Sequence, residues 1–347
     1  MKKEIKIICT LGPSSFKKSV LHKLRDEKID IFRINLSHTD VSDISKKINF
    51  LKENKIENIC IDTEGAQLRT SETTRKYNLK KNSKVKVFNQ VGSSTNKKIF
   101  LYPEFDLIKL RNGTVIDIGF NNLSLKIIKK NLSENCLICN VEKAGILESK
   151  KGVHINSNIK LPALTKKDIY ALKLAKKLKI KFFAISFVNS QKDLELVKKI
   201  IGKKSFIISK IETKNAVINL EKILKQSNAV LIDRGDLSRY VPIEKIPLAQ
   251  KIIIKKSVEM GVPTYVATNL LETMIKETQP TRAESHDIYS TLLQGSTGLV
   301  LAAETAIGLN PLGCVKFLKR CILNYQNTKN KSLSTQKKID YLFNNFK

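Results

Sequence analysis

The chain has 347 residues, of which 63 are Lys or Arg and 32 are Asp or Glu, so its formal net charge is +31. Its hydrophobic content of 41% excludes a disordered basic tail. No run reaches the roughly 18 consecutive apolar residues that a membrane span needs, which excludes a transmembrane protein. The amino-terminal MKKEIKIICTLG lacks an apolar segment of signal-peptide length, and six scattered Cys indicate reduced thiols, so we expect a cytoplasmic protein.

The positive charge raises the possibility of nucleic-acid binding, which the composition disfavours. Nucleic-acid binders concentrate Arg and Lys on one face and interleave aromatic residues for base stacking. Here 54 of the 63 cationic residues are Lys, aromatic residues make up 6%, and Trp is absent. The Lys residues are spread over all predicted helices in pairs such as Lys166-Lys167 and Lys255-Lys256. We therefore expect a solvated Lys-rich surface and no nucleic-acid partner.

Eight short runs rich in β-branched residues alternate with amphipathic segments along the chain. They cover residues 5–12, 29–38, 58–65, 181–188, 205–212, 229–237, 263–271 and 298–306. Helix starts are indicated by Thr165 with Asp168, Ser190 with Asp193 and Thr281 with Glu284. Eight βα units predict an α/β fold, a closed (β/α)8 TIM barrel whose functional residues lie where strands end.

A different pattern fills the interval of about 100 residues after the third predicted strand. VKVFNQV, TVIDIGF, LSLKIIKK and CLICNVEK alternate apolar and polar residues with a period of two, which predicts an inserted antiparallel β domain. In the last of these runs, Cys136 and Cys139 have no second Cys pair or His cluster nearby, so buried thiols are favoured over a metal site. The predicted division is barrel over 1–65 and 161–326, inserted domain over 66–160, and a polar tail over 327–347.

Polar residues cluster at the carboxyl ends of the predicted barrel strands. Each one alone is more often structural, as an ion pair or a helix cap, but a barrel brings the strand ends together. Glu212 and Asp236 suit a hard divalent cation with oxygen ligands, and Lys210 and Arg33 would complement phosphate or enolate charge. Oxygen atoms suited to a monovalent cation are offered by Asn35, Ser37, Asp62 and Thr63.

Ten collinear motifs support a more specific interpretation. They are IKIICTLGPSS, FRINLSH, IDTEGAQLRT, SKKGVHI, LPALTKKD, SKIE, DRGDL, ATNLLETM, PTRAE and AAETAIGLNP. In order and approximate spacing they resemble the pyruvate kinase family over residues 1 to about 325. The resemblance implies a barrel interrupted by a small antiparallel β-barrel lid domain, here without the family's C-terminal domain. It further implies phosphoryl transfer from phosphoenolpyruvate to ADP, giving pyruvate and ATP in the last step of glycolysis, with Mg2+ or Mn2+ and commonly K+.

The resemblance also implies roles for individual residues. Glu212 and Asp236 would hold the divalent cation, Lys210 would stabilise the transferring phosphoryl group and the enolate, and Arg33 would clamp the phosphate. The substrate carboxylate would be received by Gly235, Asp236 and Thr268, and Thr268 would lie near the protonation step. The monovalent-cation site would be formed by Asn35, Ser37, Asp62 and Thr63. Nucleotide-side positions are matched by Thr10, Pro13, Asn35, His38, Arg69 and Lys151.

Several positions depart from the family pattern. Gln67 occupies the position that separates K+-requiring from K+-independent members, so the sequence leaves the K+ requirement open. Ala302 replaces a Ser proposed to help relay a proton, and Asp117-Ile118-Gly119 retains only one acid of the lid's acidic pair. The family's A-R-G-D-L-G-V-E reads DRGDLSRY, and the Asp233 carboxylate would disfavour an anionic substrate unless it points away. Without the C-terminal domain, a homodimer through barrel helices is the expected assembly.

Two alternative functions remain beside an active pyruvate kinase. One is another barrel enzyme that uses phosphoenolpyruvate or the pyruvate enolate, which would account for the altered surroundings of Asp233 and Ala302. The other is a non-catalytic scaffold derived from a kinase. The retained Lys210, Glu212 and Asp236 favour the active enzyme, since a scaffold has no need of a metal site.

Overall fold

The computed structural model describes residues 4–119, 122–157, 159, 161–329 and 334–343. The chain forms two compact units, one of Met1–Glu64 with Lys166–Lys347 and one of Gly65–Thr165. Among the described residues, no helix has both the length and the apolar character that a bilayer crossing requires. Residues 330–333 and 344–347 of the predicted polar tail lie outside the described residues.

The first unit contains a closed barrel of eight parallel strands, as the sequence predicts. The strands are β1 (Lys6–Leu11), β2 (Ile31–Asn35), β3 (Ile59–Asp62), β13 (Phe182–Ile185), β14 (Phe206–Ile211), β15 (Ala229–Asp233), β16 (Thr264–Ala267) and β17 (Gly298–Leu301). They follow one another around the barrel in chain order, and β17 pairs with β1 to close it. All eight predicted runs contain one of these strands. Each predicted run extends past its strand because polar residues at the carboxyl end continue into loops or short helices.

Helices connect the barrel strands, and the last three of them follow the final strand. They are α1 (Lys18–Asp26), α2 (Val41–Glu53), α3 (Lys166–Lys177), α4 (Gln191–Ile201), α5 (Lys214–Ile218), α6 (Leu220–Leu224), α7 (Arg234–Leu237), α8 (Ile246–Glu259), α9 (Arg282–Leu293), α10 (Ala303–Ala306), α11 (Pro311–Thr328) and α12 (Thr335–Phe343). Two predicted starts are confirmed by hydrogen bonds at 2.8 Å from Ser190 N–H to Asp193 and at 2.6 Å from Thr281 N–H to Glu284. At the third, Asp168 accepts a 2.8 Å hydrogen bond from Glu64 N–H.

The barrel interior is packed with apolar side chains, including those of Ile8, Ile208 and Tyr265. Tyr265 is 1% exposed and lies beside Gly298 on the neighbouring strand. A Cβ atom at Gly298 would lie 2.3 Å from the Tyr265 ring, so only glycine fits there. Because the interior is filled, functional side chains are confined to the ends of the strands.

The described residues of the second unit form nine strands. They are β4 (Arg69–Thr70), β5 (Tyr77–Leu79), β6 (Lys84–Phe88), β7 (Lys98–Tyr102), β8 (Val115–Ile118), β9 (Leu123–Asn131), β10 (Cys136–Lys143), β11 (Gly145–Leu147) and β12 (Val153–Ile155). Seven form one sheet in the order β12-β8-β9-β10-β6-β7-β4, and β11 pairs with β5. All these pairs are antiparallel except β6 with β7, which is parallel. The apolar face of alternating residues predicted for this interval forms the unit's core.

Candidate active site

Arg33 is held rigidly at the carboxyl end of β2. It is 3% exposed, its Nε donates to Thr10 Oγ1 at 2.8 Å, and its guanidinium lies 3.1 Å from the Asp62 carboxylate. Thr10 Oγ1 in turn donates to the Leu301 carbonyl at 2.9 Å. Strands β1, β2, β3 and β17 therefore fix one buried guanidinium, and the guanidinium's planar geometry suits binding of phosphate or carboxylate oxygens.

Lys210 lies in β14 and faces three carboxylates. Its Nζ is 2.7 Å from Glu212 Oε1 and 3.6 Å from both Asp62 Oδ1 and Asp233 Oδ2. It also donates to Ser186 Oγ at 3.1 Å. Burial alone would lower the pKa of Lys210, but Asp62, Glu212 and Asp233 raise it above its usual value. Lys210 is therefore a fixed positive charge.

Glu212 is fully buried beside Lys210. Burial raises the pKa of Glu212, against the opposing attraction of Lys210. Its Oε2 accepts the backbone N–H of Phe187 at 2.7 Å, while Oε1 accepts no hydrogen bond of regular geometry among the described residues. A buried carboxylate oxygen without a hydrogen bond of regular geometry is a suitable ligand for a hard cation.

A cluster of three acids forms where β14 and β15 end. One carboxylate oxygen each from Glu212, Asp233 and Asp236 lies within 4.8 Å of the other two. Asp233 is 7% exposed and contacts Lys210, so its carboxylate points into the site rather than away from it. Asp236 Oδ1 lies 3.1 Å from the Arg239 guanidinium. The donor set consists of carboxylate oxygens, which Mg2+ and Mn2+ prefer.

Thr268 follows β16 in an unusual backbone conformation, with φ of +69°, and Asn269 follows with φ of +57°. Thr268 Oγ1 accepts the N–H of Gly235 at 3.0 Å, and Arg234 Nε donates to the Thr268 carbonyl at 3.1 Å. A positive φ is costly for a β-branched residue and persists only where surrounding contacts impose it. Thr268 and Gly235, both predicted site residues, are thus brought together.

The residues predicted for a monovalent cation lie on β2 and β3 and just beyond them. Asn35 and Asp62 are direct neighbours in the parallel pairing of these strands. Thr63 Oγ1 accepts the Ser186 N–H at 2.9 Å, and Asn35 Oδ1 accepts the Ser37 N–H at 2.9 Å. Asp62 and Thr63 are buried, whereas Ser37 is exposed in the short 3₁₀ helix Leu36–His38.

The predicted nucleotide-side residues divide between the two units. In the barrel unit, Thr10 is buried against Arg33, Pro13 is exposed in the loop after β1, and His38 is exposed at the end of the 3₁₀ helix after β2. In the second unit, Arg69 donates to the Lys150 carbonyl at 3.1 Å, and Lys151 pairs with Glu148 at 2.9 Å. Gln67, in the same unit, is buried, and its Oε1 accepts no hydrogen bond among the described residues.

Two further polar residues organise the site: Ser186, which sequence reasoning missed, and Arg234, to which it gave no role beyond its place at the sixth strand end. Ser186 follows β13 and joins Lys210 to the Thr63 carbonyl, to which it donates at 2.6 Å. Arg234 donates a hydrogen bond to the Thr268 carbonyl, and the Arg234 guanidinium lies 2.7 Å from Asp287 Oδ2. Both residues are polar side chains at the end of an apolar strand, the same signal that identified the other candidates.

Glu304 and Thr305, which lie in the eighth predicted run, bind backbone groups. Glu304 accepts the N–H groups of Ala302 at 2.7 Å and Leu271 at 3.2 Å, and Thr305 donates to the Thr10 carbonyl at 2.8 Å. They fix the loops around the site.

Comparison with known proteins agrees with this geometry. A sequence model of the pyruvate kinase barrel domain matches residues 2–315. A pyruvate kinase of Thermotoga maritima is 33% identical over 91% of this chain and 69% of its own length. One from Clostridium acetobutylicum is 31% identical over 93% of this chain and 70% of its own length. The chloroplastic isozyme G of Nicotiana tabacum is 30% identical over 96% of this chain and 61% of its own length.

Proposed function

The chain belongs to the pyruvate kinase family, and from that premise we propose that it transfers the phosphoryl group of phosphoenolpyruvate to ADP. The bond between phosphorus and the enol oxygen breaks, a bond to a β-phosphate oxygen of ADP forms, and the enolate carbon takes up a proton to give pyruvate. The observation that carries the proposal is the buried pair of cations, Arg33 and Lys210, fixed against carboxylates at the barrel strand ends.

The two cations suit phosphoryl transfer because this reaction depends on positioning and charge neutralisation more than on covalent chemistry. Arg33 would bind the phosphate oxygens, and Lys210 would stabilise charge on the phosphoryl group and on the leaving enolate. Their ion pairs with Asp62 and Glu212 hold them in place before substrate arrives. Little reorganisation is then needed when charge develops.

The acidic cluster supports a divalent cation, Mg2+ or Mn2+, held by Glu212 and Asp236. Its carboxylate oxygens have the chemistry that these ions require, and the three acids are close enough to face one ion. When bound, the cation would neutralise charge on the phosphate oxygens. A K+ ion near Asn35, Ser37, Asp62 and Thr63 remains a prediction, as does the K+ requirement that Gln67 leaves open.

Substrate carboxylate binding is proposed at the start of α7. The backbone N–H groups of Gly235 and Asp236 would donate to it, with Thr268 Oγ1, the present acceptor of the Gly235 N–H, as a neighbour. Thr268 would also lie near the carbon that is protonated. For ADP, we propose Thr10, Pro13, Asn35 and His38 in the barrel unit, together with Arg69 and Lys151 in the second unit.

We also propose an assembly and a location for the protein. A homodimer through barrel helices is supported by exposed apolar side chains in and before α8, among them Ile243, Leu248 and Ile252. A sedimentation coefficient of a monomer would contradict it. The substrates of the reaction and six buried cysteines without disulfides support a cytoplasmic location, which stays a prediction.

The test is formation of ATP and pyruvate from phosphoenolpyruvate and ADP, with Mg2+ present or removed by chelation. We expect turnover only with the cation, and a loss of at least about 10²-fold in Lys210→Met, because a fixed charge at the reacting group is removed. Lys203→Met, which changes an exposed Lys of the same unit, should retain activity.

Two results would favour the alternative functions. Phosphoenolpyruvate binding without any product would indicate a non-catalytic scaffold. Consumption of phosphoenolpyruvate without ATP would indicate another enolate reaction.

A further inference from the structure

Asp233 is an acidic residue at a position where the family pattern has Ala. It is the last residue of β15, it is 7% exposed, and its Oδ2 lies 3.6 Å from Lys210 Nζ. An isolated buried carboxylate would be strongly destabilising, so its charge must be balanced by a cation. Lys210 supplies only part of that balance, because the same ammonium also faces Asp62 and Glu212.

The geometry of the acids allows Asp233 to share a metal ion with its neighbours. Its carboxylate oxygen lies within 4.8 Å of an oxygen of Glu212 and one of Asp236. Octahedral Mg2+ binds oxygens at about 2.0–2.1 Å, so oxygens on one ion are separated by about 3 to 4 Å. Small side-chain movements would therefore bring all three acids onto one ion.

A second departure from the family pattern reduces the charge that Asp236 offers. Arg239 stands where the pattern has Val, is 15% exposed in its side chain, and lies 3.1 Å from Asp236 Oδ1. Arg239 thus offsets the negative charge of Asp236, while Asp233 adds a carboxylate to the cluster. The two changes lie six residues apart in the loop that carries the family's acid.

We propose that Asp233 is a third ligand of the divalent cation. We further propose that Arg239, by pairing with Asp236, weakens the contribution of Asp236 to cation binding, so that more of the binding depends on Asp233. The proposal rests on the divalent-cation site of the proposed function. A site with three carboxylates binds the cation more tightly without substrate than one with two, because ligand charge sets affinity.

The test is direct titration of the full-length protein with Mn2+, following free Mn2+ by electron paramagnetic resonance without substrates. Asp233→Ala should raise the Kd by about tenfold or more, and Asp233→Asn, which keeps an oxygen but loses the charge, should give a smaller rise. Glu259→Ala, which removes an exposed acid at the end of α8, should leave the Kd unchanged. Circular dichroism without metal establishes that each variant is folded. Equal Kd values for the wild type and folded Asp233→Ala would overturn the proposal.

Two further variants separate a ligand from a residue that acts through Lys210. In a Lys210→Met background, Asp233→Ala should still raise the Kd. If the effect disappears there, Asp233 only orients Lys210 and is not a ligand. Arg239→Val should lower the Kd and reduce the effect of Asp233→Ala, whereas an unchanged Kd would refute the role of Arg239.

The outcome is independent of catalysis. ATP formation combined with a Kd for Mn2+ that does not change in Asp233→Ala would refute this inference alone. Asp233-dependent Mn2+ binding without ATP formation would refute the proposed function alone.

Discussion

At the scale of single residues, the site depends on side chains that hold a neighbouring residue in an energetically unfavourable backbone conformation. Thr268 is β-branched with a φ of +69°, and Arg234 donates to its carbonyl from both Nε and the guanidinium terminus. Asp287 anchors Arg234 from α9 at 2.7 Å. Arg234 is therefore a positioning residue that keeps the Thr268 hydroxyl beside Gly235.

Replacing Arg234 should show whether this position matters for turnover. In Arg234→Met, Thr268 can relax to a negative φ, and a displacement of its hydroxyl by about 1 Å would lower kcat by about 10²-fold. The KM for ADP should change little, and Arg234→Lys should recover part of kcat because it keeps one donor. Steady-state kinetics with each substrate measures both constants. A lower melting temperature with unchanged kcat would show that Arg234 is structural only.

The sequence largely predicts which residues belong to the site, but it does not predict the directions in which their side chains point. Arg33, Asp62, Lys210 and Glu212 were recognisable as polar residues ending apolar strands, and the closed barrel brings them into contact. The direction of Asp233 depends on the turn from β15 into α7, which no periodicity specifies. The sequence therefore left open whether Asp233 points into the site.

At the scale of elements, the predictions succeeded where burial was continuous and failed where strands were short. Parallel barrel strands are buried on both faces, so they read as apolar runs, and all eight were found. In the second unit, β4, β5, β11 and β12 have only two or three residues each, too few to show a period. The five-residue strand β7 was also missed, although its burial alternates. The helix α12 lies in the tail, for which the sequence predicts only a polar segment.

The capping box of α9 provides a pH-dependent test at this scale. Burial raises the pKa of Glu284, but hydrogen bonds from Thr281 and Thr273 outweigh it and hold that pKa below its ordinary value of 4.5. A lowered folded-state pKa stabilises the protein above the unfolded-state pKa, and this contribution is lost as pH falls through the folded-state value. Glu284→Gln should therefore lower the free energy of unfolding by about 1 kcal/mol at neutral pH.

The difference between Glu284→Gln and wild type should shrink as the pH is lowered below 4.5. Urea unfolding over a pH series measures it, with the exposed Glu259→Gln as the control. A difference that stays constant down to the lowest pH at which both proteins fold would contradict the assigned hydrogen bonds.

At the scale of the whole molecule, function depends on the closure of the barrel. Thr10, Arg33, Asp62, Lys210 and Asp233 come from five strands spread over more than 200 residues, and only closure brings them together. The net charge of +31 comes mostly from residues outside the site. Most of its lysines lie on solvated surfaces, and the buried cations of the site are Arg33 and Lys210.

The most direct test of the central claim follows the phosphoryl group itself. Phosphorus NMR of the wild-type chain with phosphoenolpyruvate, ADP and Mg2+ reports substrate, ATP and inorganic phosphate in one sample. We predict loss of the phosphoenolpyruvate resonance matched by an equal gain of ATP, and no transfer in Lys210→Met. Persistence of phosphoenolpyruvate, or its conversion to inorganic phosphate without ATP, would contradict the proposed phosphoryl transfer to ADP.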